Sequence, residues 1–206
     1  MSNLNYQQRA EEIAALMKGR IEHQSPESPQ PNRLRLLLPE TGVPNAKLSL
    51  AFSPYNAKGR LVVTCLFPNC PDYGPVNANT FVSARDLEAV NYTSSISMAE
   101  SKSAEQMVRD IERRLLRGYL QALAATNKGI AERVKEIHKK SQLIKRLADI
   151  AGQHLTEEQV KRERIHVYDG SRSMDIDLSG EKVRVEMRWI SPELAEKVIL
   201  LFNENA

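Results

Sequence analysis

The chain has 206 residues, of which 41% are hydrophobic, 27% charged and 5% aromatic, and its formal net charge is +3. That length suits one domain or two small lobes, and the apolar content offsets the entropy of ordering, which excludes an intrinsically disordered chain. The longest uninterrupted apolar run, Val198 to Phe202, is far too short to span a membrane, and no basic-then-apolar leader occupies the first thirty residues, so a cytoplasmic protein without a membrane partner is expected.

In chain order, residues 4–21 form an amphipathic helical pattern, with Tyr6, Ala10, Ile13, Met17 and Ile21 at spacings of three and four. Pro26, Pro29 and Pro31 forbid its continuation. Alternation then predicts strands, first through Leu34, Leu36 and Leu38, next through Leu48, Leu50 and Phe52. The segment Leu61 to Leu66 is apolar on both faces and reads as a central strand. A Pro-, Asn-, Asp- and Gly-rich stretch from Phe67 to Asn79 reads as a long loop, and residues 90–98 as a strand with Tyr92, Ser94, Ile96 and Met98 on one side.

Ser103 and Gln106 fit a capping box that starts a helix. Met107, Val108, Ile111, Leu115, Tyr119 and Leu123 follow as an apolar stripe, and a second stripe runs through Ile130, Val134, Ile137, Ile144, Leu147 and Ile150. Asn127-Lys128-Gly129 offers a left-handed helix end between them, so an antiparallel helical pair is expected; one continuous helix is the alternative. Further on, Ile165 and Val167 mark a strand whose Asp169-Gly170 connection leads into a hairpin. A two-residue turn at Ser179-Gly180 would pair Ile176 with Val183, Met174 with Val185, Asp177 with Lys182 and Asp175 with Arg184. Ser191-Pro192 starts a closing helix with Leu194, Val198, Leu201 and Phe202 as its core stripe. The fold class is therefore α+β. Residues 1–100 supply a helix and antiparallel strands, 101–160 a basic helical pair, and 161–206 a three-stranded meander with a final helix.

The rare residues exclude several chemistries. No two of the nine glycines lie closer than ten positions, so phosphate-cradling loops, the dinucleotide fingerprint and the nucleophile elbow are absent. Cys65 and Cys70 lack the second ligand pair of a zinc site, and His23, His138, His154 and His166 are scattered singly. They read as a strand thiol and a loop thiol, both reduced. No metal and no cofactor is expected.

Charge is distributed unevenly. From Arg113 to Arg146 there are ten basic residues against two acidic ones. Arg113, Arg114, Arg117, Arg133, Lys135, Lys139, Lys140, Lys145 and Arg146, together with Lys128, are candidates for neutralising the phosphates of DNA or RNA, or for meeting a nucleoprotein or protein complex with an acidic surface. A solvated basic face accounts for the same residues. Tyr119 is the only aromatic residue between positions 102 and 163, which argues against a base-stacking platform. On the C-terminal sheet, Arg164, His166, Tyr168, Asp175, Asp177, Arg184, Glu186 and Arg188 share the polar face; they make an acid–base set, and cross-strand ion pairing explains them better.

The segment from Ala104 to Tyr119 resembles stretches of small uncharacterised phage and plasmid proteins. The resemblance implies an accessory role in a mobile element, such as handling nucleic acid or interfering with host defence. The sequence thus reads as a non-enzymatic protein that binds nucleic acid or a nucleoprotein complex through basic helices. The alternative is a protein-interaction module, either an inhibitor of a host defence complex or a homodimeric adaptor.

Overall fold

A computed structural model describes residues 3–22, 32–71, 73–150, 164–168, 173–179 and 182–204, with the single positions 152, 155, 158, 160 and 170. The chain falls into two compact units, Met1–Glu132 and Arg133–Ala206. The architecture is α+β.

The first unit holds α1 (Asn3–Leu16), β1 (Arg20–Glu22), β2 (Arg33–Leu37), β3 (Lys47–Phe52) and β4 (Arg60–Leu66). The short strands β5 (Asn69–Cys70) and β6 (Gly74–Pro75) follow, then α2 (Ala84–Ala89), β7 (Ser95–Ala99) and α3 (Ala104–Ile111). Strands β1-β2-β3-β4-β7 form one antiparallel sheet in that order. The alternation expected through Leu36, Leu48, Leu50 and Phe52 is borne out, and these bury on one face with Leu61, Val63 and Ile96; β4 is an interior strand as expected, but its other face is only half-buried. Ala10, Ile13 and Ala14 of α1 and Met107, Val108 and Ile111 of α3 pack against that face. Each large aliphatic side chain buried there is worth about 1.5–3 kcal/mol of transfer free energy.

The end of α1 and the start of the strand read at 90–98 differ from the pattern-based expectation, each at a left-handed helix end, the second closing a helix, α2, that the pattern does not announce. Helix α1 stops at Leu16 and not near Ile21, because Lys18 turns left-handed (φ 50°) and the Gly19 N–H bonds back to the Ala14 carbonyl at 2.8 Å. This Schellman closure swings the chain into β1. A Cβ on Gly19 would lie 2.5 Å from the Leu37 carbonyl, so only glycine permits the approach. Residues 90–98 likewise do not form one strand. Ser83 accepts from the Asp86 N–H to start α2, Asn91 takes φ 52°, and the Tyr92 N–H closes onto the Leu87 carbonyl. Only Ser95–Ala99 is strand. Within the expected loop, β5 pairs with β6, and both cysteines are buried.

The helical pair is replaced by one helix. From Ala104 the chain stays helical through eight residues of α3, a five-residue π turn at Glu112–Leu116 and thirty-four residues of α4 (Arg117–Ile150). The expected break at Asn127-Lys128-Gly129 does not occur, because both of its signals serve tertiary contacts within the first unit. The Asn127 amide donates to the Pro44 carbonyl at 2.9 Å. Gly129 lies under Phe81, where a Cβ would sit 2.7–2.8 Å from that side chain. The capping box at Ser103 and Gln106 forms as expected.

The second unit continues along α4 and adds β8 (Arg164–Tyr168), β9 (Ser173–Ser179), β10 (Lys182–Arg188) and α5 (Pro192–Glu204). The three strands form an antiparallel sheet in the order β10-β9-β8. The hairpin register is displaced by two residues from the Ser179-Gly180 turn, since Ser179 pairs with Lys182, Ile176 with Val185, and Met174 with Met187. An even displacement keeps apolar residues opposite apolar ones, but it moves Arg184 opposite Asp177 and sets Asp175 opposite Glu186. The closing helix also departs from expectation: Val198 and Leu201 are exposed and not core residues, and Leu194 is half-buried. The side chain of Phe202, the Asp169 connection and position 180 lie outside the described residues.

Candidate nucleic-acid interface

The basic residues are carried by the π turn and α4, and each unit presents its own set. In the first unit Arg113, Arg114, Arg117 and Lys128 are all exposed. Their charges are not equally free. Asp110, whose side chain is nearly buried, bonds both Lys102 and Arg113, the latter at 3.1 Å. The Lys102 ammonium holds the Asp110 carboxyl below its ordinary range, with Arg113 and Arg114 adding to that effect against the cost of burial. Arg113 thus shares its charge with Asp110 at the surface, and Lys128 lies 4.0 Å from Glu132. Arg114 and Arg117 make no ion pair among the described residues.

In the second unit, Lys135, Lys139, Lys145 and Arg146 are exposed and make no ion pair among the described residues, whereas Arg133 and Lys140 are half-buried. Arg133 bonds Glu136 at 3.1 Å. At about 100° per residue, Lys135, Lys139 and Arg146 fall within an arc of about 40°, while Arg133 and Lys140 lie on the opposite side. The rise of about 1.5 Å per residue spreads the three cations over about 16 Å. Lys145 flanks the arc. The basic residues counted in the sequence thus resolve into one aligned group and several withdrawn from it. Sequence reasoning treated Arg113 as equivalent to Arg117; the acid that separates them, Asp110, lies three positions before Arg113 and is the recognisable signal.

Tyr119 takes no part in such a surface, because it is fully buried. The acid–base set of the C-terminal sheet also resolves. The His166 Nδ1 lies 2.8 Å from the Asp175 Oδ1, and Asp175 is buried, not solvent-facing as its place in the alternation implied. Glu186 is gripped by Arg188 at 2.8 Å and Arg184 at 3.4 Å. These partners let Asp175 and Glu186 oppose each other across the ladder, since each has a cationic or protonatable neighbour. Tyr168 is exposed, with its hydroxyl bonded to the Gly170 carbonyl. The side chain of Arg164 lies outside the described residues.

Among the described residues no three His, Cys, Asp or Glu side chains converge as a metal site would require, and no helix is long and apolar enough to cross a membrane. The chain matches no protein-family model, no curated protein and no solved structure.

Proposed function

We propose that the protein binds DNA or RNA through phosphate contacts from the exposed basic side of α4, without reading base sequence. The observation that carries this reading is the alignment of Lys135, Lys139 and Arg146 on one arc of the helix, exposed and without an ion pair among the described residues. Cations spaced along a rigid rod can neutralise successive phosphates, and they do so at no cost in broken internal pairs. Residues 133–150 of α4 contain no Phe, Tyr or Trp, which favours backbone contacts over base stacking.

The test is fluorescence polarisation of the full chain with generic duplex and single-stranded oligonucleotides across a salt series. Three phosphate contacts predict that log K falls with log salt at a slope of about −3 on duplex. Replacing Lys135, Lys139 and Arg146 by Glu should abolish binding, whereas the same reversal at Lys18, Lys58 and Arg85 should change it little. No binding at low salt, or equal losses in both triple variants, overturns the reading. An acidic protein retained by the wild type in place of nucleic acid would select the interaction module instead.

A further inference from the structure

Among the described residues the sheet of the second unit ends in an unpaired strand on the β10 side. Its order leaves β10 outermost, and the apolar cover of the sheet stops short of that strand. Along the cross-strand row Ile165, Ile176, Val185, exposure climbs from 0% to 6% to 49%. Ala148 and Leu147 pack against the first two. Val183 and Met187, on the same face as Val185 by two-residue alternation, are 42% and 37% exposed. Helix α5 leaves Ile199 and Leu200 59% and 60% exposed. An outer strand with an uncovered apolar face is a template for another strand, and the residues it carries decide which strand fits.

Strand β10 is complementary to itself. In antiparallel pairing about a two-fold axis through Val185, Arg184 of each copy opposes Glu186 of the other, Val183 opposes Met187, and Val185 opposes itself. An axis through Arg184 would set that arginine against itself, and one through Glu186 would oppose Glu to Glu and Arg184 to Arg188. The Val185 register uses the whole of Lys182–Arg188 and leaves like charges, Lys182 and Arg188, opposed only at its two ends. It also keeps both apolar strips on one face, side by side. We propose that the chain forms a homodimer by antiparallel β10–β10 pairing centred on Val185. The pairing merges two three-stranded sheets into one of six strands, covers the β10 edge of both copies and leaves the two β8 strands outermost.

Sedimentation equilibrium of the full chain, without nucleic acid, tests the proposal. The expected mass in the micromolar range is twice 23.3 kDa. Arg184→Glu converts two attractive cross-strand contacts into repulsive ones and should raise the dissociation constant about tenfold or more. The double variant R184E/E186R restores opposite charges between the copies and should recover the dimer. Both variants place the same change opposite Asp177. The single variant Glu186→Arg, which sets Arg184 against a second arginine between copies, separates the change opposite Asp175 from the contact between copies, because it should weaken the dimer as Arg184→Glu does. Val185→Lys, which puts two cations on the axis, should give a monomer with an unchanged circular dichroism spectrum. A single-chain mass throughout the micromolar range overturns the proposal and means that α5 or another partner covers β10. So does a dimer indifferent to Arg184→Glu, or a failure of R184E/E186R to recover it.

Discussion

Tyr119 and Lys47, seventy-two positions apart, are joined by a closed polar contact inside the first unit. The backbone N–H of Lys47 donates to the Tyr119 hydroxyl oxygen at 2.9 Å, and that hydroxyl lies 2.9 Å from the Lys47 carbonyl and 2.7 Å from the Leu66 carbonyl. Lys47 and Leu66 are paired residues at one end of the β3–β4 ladder. The phenol therefore closes the end of the sheet from the helix that crosses it, and it satisfies backbone groups that burial would otherwise leave without a partner. Phe67 packs edge-on against the same ring, with centroids 5.6 Å apart.

Removing the hydroxyl without removing the ring isolates that contact. Tyr119→Phe keeps the packing but strands a buried N–H and its neighbouring carbonyls, and should cost about 1–3 kcal/mol of stability. Urea unfolding measures it through the midpoint at constant m value. A variant as stable as the wild type would mean that water replaces the hydroxyl.

The same cluster predicts alkaline lability. Burial pushes the Cys65 thiol up from 9.0 to about 12 and the Tyr92 phenol up from 10.0 to about 12, the latter with a further contribution from Cys65. Burial also raises Tyr119, against the bonds its hydroxyl makes with Lys47. Each group holds its proton more tightly folded than unfolded, so its contribution is complete below the unfolded pKa and is lost as pH rises toward the folded one. The urea midpoint should fall steadily from about pH 9 upward. Native Cys65 and Cys70, both buried, should resist alkylation until the chain unfolds. A flat midpoint across this range, or ready labelling of the native thiols, would contradict the burial argument.

Two helix-interior glycines set close approaches and should not tolerate alanine. A Cβ on Gly118 would stand 2.8 Å from the Asn91 carbonyl and 3.0 Å from the Tyr92 Cα, both backbone atoms that cannot rotate aside. On Gly129 it would stand 2.7 Å from the Phe81 ring. Alanine gains about 1 kcal/mol of helix propensity. Overpacking of this kind costs about 1–3 kcal/mol. Gly118→Ala should therefore destabilise outright and Gly129→Ala more mildly, as read by guanidinium unfolding. An increase in stability for either would show that the elements part without penalty.

Much of the fold was legible because local pattern and tertiary demand agree. The alternation in Leu34–Leu38 and Leu48–Phe52, the stripe from Met107 to Leu123 and the Ser103 cap each point the same way at both levels. The misread boundaries lie where a single residue makes a left-handed helix end with an unexpected side chain, Lys18 for α1 and Asn91 for α2. Both ends are identifiable in sequence only if the following residues are known to turn back onto the helix. The candidate interface was half legible. The basic excess is a property of composition, but which cations point outward and lack a carboxylate depends on helical phase and on Asp110 and Glu136.

By itself the sequence determined the α+β class, the strand faces, the absence of glycine-rich phosphate loops and the concentration of positive charge between Arg113 and Arg146. These follow from periodicity and counting, which act over a few residues. Tertiary structure alone decided that Gly129 and Asn127 are packing residues inside an unbroken helix, that Asp175 is buried against His166, and that β10 and α5 keep apolar surface exposed. Each of those outcomes depends on what a residue meets across the fold. A glycine at a helix end and a glycine beneath an aromatic ring are the same letter, and only the ring tells them apart.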